Sequence, residues 1–378
     1  MRSIRAGYRA LSLAFAACLA SGAATVAFQP TVLIGTADPG VDVTFRDHQG
    51  RGSNLAATAD VVQLGVRNGV LMWSTDSGQT WDNDTLIGPR EAEVALCDGH
   101  AIAIHTRDDG SHRLVRTSSH VLDGAPDPGR DWTDGGIART PDGACVRDHE
   151  LAVAWFYKTS DGWKVRVRTG VPVGPNPTPQ TFQLGAGTPS RGLAVAASND
   201  RVYVAWFRGQ VLKLRRFSIG GAPNHTLTSL GTSTIANLPY GNTPELGADG
   251  DRVVLAFMDR ADLKVRRSTD RGGSFGSATT LRNEPFPSEI GAFPTTVSVR
   301  GSRVAIGAVE IGGIEELVGR GLGYKSTNGG ASYSRISSHS SGRVVATLVR
   351  PGSAYRYAEI WDESISDPSA HRIRFRRE

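Results

Sequence analysis

Seven short segments of this 378-residue chain repeat one pattern: a turn rich in Asp, Asn or Gly, then a run of four or five mostly apolar residues. Val61-Val-Gln-Leu64 follows Thr58-Ala-Asp60, and Ala101-Ile-Ala-Ile104 follows Asp98-Gly99. Leu151-Ala-Val-Ala-Trp155 follows Asp148-His-Glu, and Val202-Tyr-Val-Ala-Trp206 follows Asn199-Asp200. Val253-Val-Leu-Ala-Phe257, Val304-Ala-Ile-Gly-Ala308 and Tyr355-Arg-Tyr-Ala-Glu359 complete the series. Most copies lie about 50 residues apart, a period at which single supersecondary units stack on their neighbours to bury a shared core.

Each copy reads as strand, tight turn, strand, short loop, third strand. The third strand alternates apolar and basic residues in Arg113-Leu-Val-Arg116, Lys164-Val-Arg-Val167, Leu212-Lys-Leu-Arg215 and Leu263-Lys-Val-Arg266, as a strand with one packed and one wet face does. No convincing amphipathic helix interrupts the body. The reading is an all-β protein, a β-propeller of four-stranded blades spanning residues 41–378, with seven blades expected and six the alternative. The seventh copy stops after His371-Arg-Ile-Arg-Phe375, so its outer strand must come from elsewhere. Val41-Asp-Val-Thr-Phe45 has strand character and is expected to close the ring, which removes exposed sheet edges.

Three third strands run into one turn motif. It reads Ser74-Thr-Asp76-Ser-Gly78-Gln-Thr-Trp81, Ser268-Thr-Asp270-Arg-Gly272-Gly-Ser-Phe275 and Ser326-Thr-Asn328-Gly-Gly330-Ala-Ser-Tyr333. The Asp or Asn oxygen is expected to accept backbone N–H groups of its own turn, the Gly to take positive φ, and the aromatic to pack between strands. These are Asp boxes, and they resemble those of the sialidase-like (BNR repeat) β-propellers. The same box resembles that of xyloglucanases, sortilin-type receptors and several assembly factors, so it speaks for architecture and not for activity.

The chain's start reads as an export signal over residues 1–27: Arg2, Arg5 and Arg9, then an apolar stretch from Leu11 to Ala20, too short to span a bilayer. Phe15-Ala16-Ala17-Cys18 is similar to a lipobox, which makes a lipid-anchored form the alternative to a freely secreted one. Removing the three arginines takes the formal net charge from +5 to +2. Residues 372–378 carry +3 and leave the rest of the body at about −1, so the composition gives no case for nucleic acid binding. Cys97 and Cys145 remain, at nearly matching positions of consecutive copies. They are placed either to bridge neighbouring blades or to lie apart as small buried hydrophobes. No His or Cys stands at zinc-ligand spacing. Asp123, Asp127, Asp131 and Asp134 in the 122–136 connection leave calcium open, against ordinary turn chemistry. A monomer with no membrane span and no cofactor is expected.

The chain path puts the Asp boxes on one face and the loops between second and third strands, with the blade-to-blade crossings, on the other. Charged and aromatic residues gather on that second face: His48, Arg51, Arg107, Asp108, Tyr157, Trp163, Asp259, Glu310, Trp361 and Asp362. Such a mouth suits a glycan or an extracellular protein. The sialidase resemblance implies an active site there, with three arginines on the substrate carboxylate, a Tyr–Glu nucleophile pair and an Asp acid/base. Arg46, Arg208 and Arg260 are candidates for the arginines, and Tyr240 with Glu245 for the pair. The match is poor. Phe45-Arg46-Asp47-His48 loses the Ile-Pro of the family's first motif. The blade-one loop that should carry the acid shrinks to Arg67-Asn68-Gly69, a tight-turn sequence. The expectation is therefore a binding propeller without clear catalytic machinery. The alternative is an exo-α-sialidase or other glycoside hydrolase with a divergent site.

Overall fold

The seven apolar runs are second strands. The computed structural model describes residues 32–37, 55–58, 61–66, 70–76, 80, 82–85, 90–97, 100–110, 112–121, 126–133, 136–146, 150–170, 181–198, 200–220, 226–239, 241–281, 291–310, 320–339, 344–349, 355–364 and 371–378. Their strands form seven four-stranded antiparallel sheets. Six are sequential meanders at 55–85, 90–131, 138–186, 193–237, 242–280 and 292–339, numbered here as blades one to six. Second strands lie inside a blade with a neighbouring blade on each face, so both faces are buried. Val202, Tyr203, Val204, Ala205, Trp206 and Phe207 are each at most 2% exposed. That explains runs too uniformly apolar for a half-exposed strand.

Blade seven takes three strands from 344–377 and its fourth from the other end of the chain. Val32–Ala37 pairs with His371–Arg377, Val32 opposite Phe375 and Ala37 opposite His371. The partner strand thus starts at Val32, earlier than the expected Val41–Phe45, and lies before the expected domain start at 41. Residues 41–45 are outside the described residues, as is the 1–27 leader. The first strand of blade one (Leu55–Thr58) contacts the first strands of blades two and seven, which completes the ring.

Core side chains lie between blades. One cluster joins Ile102 and Ile104 of blade two to Leu151, Val153 and Trp155 of blade three. Further clusters join blades three and four, four and five, five and six, and six and seven. Third-strand arginines add polar stitches to the preceding blade. Arg168 donates to the Trp132 carbonyl at 2.5 Å, and Arg266 to the Ile235 carbonyl at 2.7 Å. Cys97, closing the first strand of blade two, forms a disulfide with Cys145 on the first strand of blade three, with 5.3 Å between Cα atoms.

The Asp boxes are turns between third and fourth strands. Asp270 accepts the Ser274 N–H at 2.9 Å and the hydroxyls of Ser268 (2.6 Å) and Ser274 (2.7 Å). These bonds, the Ser268 hydroxyl foremost, hold its carboxyl far below the ordinary value. Asp76 accepts the Thr80 N–H at 2.9 Å, and Asn328 accepts the Ser332 N–H at 3.0 Å. Gly272 and Gly330 have φ of 73° and 82°. Phe275 and Tyr333 pack against the clusters shared with the preceding blades. Gly78 and Trp81 lie outside the described residues.

The acidic 122–136 segment contains a strand. Pro126–Asp131 forms the outer edge of blade two, where prolines are tolerated, and Asp131 pairs with Arg116 at 3.0 Å. Asp123 and Asp134 are outside the described residues. Among the described residues no three of His, Cys, Asp and Glu converge, and no helix is long and apolar enough to cross a membrane.

Candidate functional site

The face opposite the Asp boxes begins with irregular inner strands. Ladder registers slip at Arg90/Glu93, Arg139/Asp142, Asn242/Glu245 and Pro294/Thr296, where first strands of blades two, three, five and six leave that face. Bulges re-aim side chains at such rims. In blades three and five the bulge holds Thr140 at φ 54° and Thr243 at φ 43°, each before a proline. Positive φ is strained for a β-branched residue. After each bulge Glu93, Asp142, Glu245 and Thr296 occupy one equivalent register position. Asp142 uses it to cross to the next blade, accepting the Val195 N–H at 2.5 Å and its neighbour Gly143 N–H at 2.7 Å. Sequence reasoning passed over Thr140, Asp142 and Thr243. Their signal was the repeated Thr140-Pro141-Asp142 and Thr243-Pro244-Glu245.

The candidate residues of this face scatter around the rim. Arg208 and Arg260 are exposed in the second-to-third-strand turns of blades four and five, and Glu245 lies half-buried on the inner strand of blade five. Tyr157 is buried on blade three with the Arg166 guanidinium 3.7 Å from its ring centroid; half-buried Trp163 carries Arg139 at 5.4 Å. Trp361 stacks on His339 at 4.3 Å. Arg107 is half-buried on blade two. Arg46, His48, Arg51 and Tyr240 lie outside the described residues, and Asp362 is described only as backbone of the strand Arg356–Ser364.

The candidate acids are engaged. Asp108 pairs with Arg113 at 2.9 Å, Asp259 with Lys264 at 2.6 Å, and buried Glu310 with Arg320 at 3.2 Å. In each case the cation comes from the following strand of the same blade. Arg191, on a 3-10 turn between blades three and four, donates to the carbonyls of Leu238, Pro239 and Gly241 at 2.8–3.1 Å and so fastens the crossing from blade four to five. In blade one, Val66 pairs directly with Val70, leaving 67–69 as the whole connection.

A Tyr–Glu pair does occur, but it is sealed in the core. Glu359 on the second strand of blade seven is fully buried. It accepts the Tyr357 hydroxyl at 2.7 Å and the Ser337 hydroxyl at 2.6 Å through one oxygen, and contacts His339 Nε2 at 3.0 Å and Arg376 Nε at 2.5 Å through the other. Ser337 and His339 come from the outer strand of blade six, so the carboxylate joins two blades. Burial alone would raise its pKa; the His339 hydrogen bond, the Arg376 charge and the Ser337 hydroxyl outweigh burial and hold it below the ordinary value. Burial pushes the Tyr357 hydroxyl well up, keeping it a neutral donor.

Seven antiparallel blades, Asp-box turns and a strand borrowed from the far end of the chain define an Asp-box β-propeller. Sialidases and neuraminidase-like propellers recur among its structural neighbours. The chain is similar to a phage phi92 endosialidase (11% identity over 92% of this chain and 68% of that one, TM-score 0.44). It is also similar to a Trypanosoma rangeli sialidase in complex with sialic acid (11% identity, 85% of this chain, TM-score 0.44), of which it spans 59%. A third likeness is to the six-bladed, fucose-recognising Aleuria aurantia lectin (10% identity, 76% and 95% coverage, TM-score 0.47). These are likenesses of fold. No family model matches the sequence, and no curated protein matches it.

Proposed function

We propose that this chain is an exported propeller that binds a glycan, a cell-wall component or an extracellular protein through the face opposite its Asp boxes, without turning it over. The observation that carries this reading is the pairing of Asp108, Asp259 and Glu310 with Arg113, Lys264 and Arg320. A glycosidase needs one carboxyl to give a proton and a second carboxylate, or a Tyr–Glu pair, to attack or activate water. Here those acids are tied to cations, and Tyr357 with Glu359 is closed to any substrate. What the face offers instead is polar recognition: arginine forks, Trp163 and the tops of strained inner strands.

Incubation of the leaderless chain with fluorogenic α-sialosides and a panel of aryl glycosides tests it, alongside a glycan array. Expected is array binding with turnover no faster than buffer. Robust sialoside turnover that disappears on Arg46→Ala or Arg208→Ala would overturn the binding reading in favour of a divergent sialidase.

A further inference from the structure

The two faces of blades three to five treat charge differently. On the Asp-box side, cations are engaged: Arg271 pairs with Asp251 at 2.5 Å, Arg201 lies 3.7 Å from Asp200, and Arg252 donates to the Gly301 carbonyl at 2.9 Å. On the opposite side Arg139, Lys158, Arg208 and Arg260 are all exposed, and none forms an ion pair among the described residues. Among the described residues, Asp161 and Asp262 are the acids left in the turns there once Asp259 is paired with Lys264, with Glu245 half-buried on the inner strand of blade five.

Arg260 carries a second signal. The turns between second and third strands in blades two, four and five put one residue at positive φ. In blades two and four it is Gly110 (57°) and Gly209 (59°), which take this conformation without strain. In blade five the same position is Arg260 at 58°. A side chain is kept there against a backbone preference for Gly, and it is exposed. Arg271 takes the same φ on the Asp-box side but pairs with Asp251, whereas Arg260 forms no ion pair among the described residues, so an exposed guanidinium at that rim is what it adds.

Resting on the binding reading above, we infer that this arc of blades three to five recognises a linear polysaccharide bearing carboxylate or sulfate groups. Sheets stack about 10 Å apart, so cations on successive blades lie on the order of 10 Å apart or more. That span exceeds the two oxygens of one carboxylate and fits a polymer with charges repeated along it. Guanidinium forks match carboxylate and sulfate oxygens. Single-stranded nucleic acid is the poorer fit, because it is gripped by exposed aromatic platforms. The large hydrophobics exposed among the described residues are Ile137 and Leu230, neither aromatic.

The test is biolayer interferometry of the leaderless full chain on alginate, chondroitin sulfate, neutral dextran and single-stranded DNA, at about 0.05 M and 0.5 M salt. Expected is binding to alginate or chondroitin sulfate and not to dextran, weakened about tenfold or more by the higher salt. Each exposed charge contact is worth roughly two- to fivefold, so R139Q/K158Q/R208Q/R260G should lose at least about tenfold. R271Q/R335Q/R356Q, which strips exposed cations from the Asp-box side, should bind within about twofold of the parent. R260G alone should raise the melting temperature while weakening binding, a pair of opposite signs that a purely structural role does not produce. Equal binding to dextran, or no loss in the quadruple variant, overturns this inference and leaves the glycan reading standing. Preference for DNA overturns the polysaccharide as occupant. Binding to no polysaccharide, charged or neutral, here or on the glycan array, removes both.

Discussion

Replacing Glu359 with Gln tests how blades six and seven are held together. The carboxylate is fully buried and meets Ser337, Tyr357, His339 and Arg376 at 2.5–3.0 Å. Gln keeps the shape but turns one acceptor into a donor and removes the charge that Arg376 meets at 2.5 Å. Breaking a buried ion pair by removing one partner costs about 3–5 kcal/mol. Unfolding entropy of about 2 cal/mol/K per residue, over a ring of about 350 residues, gives about 0.7 kcal/mol/K. The melting temperature should therefore fall by about 4–7 °C at pH 7. Ser337→Ala, which removes one neutral hydrogen bond of about 1 kcal/mol, should cost only 1–2 °C. Because the folded pKa of Glu359 is depressed, its stabilisation is full above the unfolded value and is lost as pH falls through the folded one. The gap between parent and variant should accordingly shrink in strong acid. Scanning calorimetry from pH 7 to pH 3 decides it. A melting temperature within about 1 °C of the parent at pH 7, or a gap constant across the range, refutes the ionised-network argument.

Three further outcomes follow from the same structure. The Cys97–Cys145 disulfide closes a loop of sequence separation 48, for which chain entropy gives about 4 kcal/mol as an upper figure; C97S/C145S should unfold at lower guanidinium, and reducing agent should destabilise only the parent. His105 lies buried with Nε2 3.0 Å from the Ser118 hydroxyl, and burial lowers its pKa to about 4. Its neutral form is therefore favoured by folding, and up to about 3 kcal/mol should be lost as pH falls from about 6.5 to 4, a slope that His105→Gln should flatten in urea titrations. Asp270→Asn should be tolerated, since Asn328 makes the equivalent turn in blade six, whereas Asp270→Ala should cost about 1 kcal/mol; neither should alter ligand binding.

The sequence was most legible where structure is local or where burial is two-sided. Second strands are sandwiched between blades, so their apolar runs stand out at a fixed period. An Asp box is closed by atoms within a few residues of Asp270, so its motif is nearly its structure. The strand that pairs with the C-terminal one was misplaced because pairing with His371–Arg377 is decided by atoms more than 300 residues away. Val32–Ala37 and Val41–Phe45 differ little in local propensity. The Glu359 network was invisible for the same reason. Tyr357 and Glu359 share a strand face, but Ser337 and His339 arrive from another blade. Gly323 is part of that arrangement: a Cβ there would collide with the Tyr357 and Ser337 hydroxyls, a requirement no local pattern announces.

The same contrast bears on function. A charge that builds the fold finds its partner nearby, as Asp142 finds the next blade's Val195 N–H and Asp259 finds Lys264. By that criterion Asp108, Asp259 and Glu310 are accounted for by architecture, each held by a cation of the following strand. Arg208 and Arg260 on the same face are exposed and form no ion pair among the described residues, and Arg260 sits where blades two and four use glycine. A fold of this kind does not choose between lectin and enzyme. The imbalance bears on the proposed ligand and not on that choice, because exposed like charges repel one another and a ligand of opposite sign would relieve the repulsion.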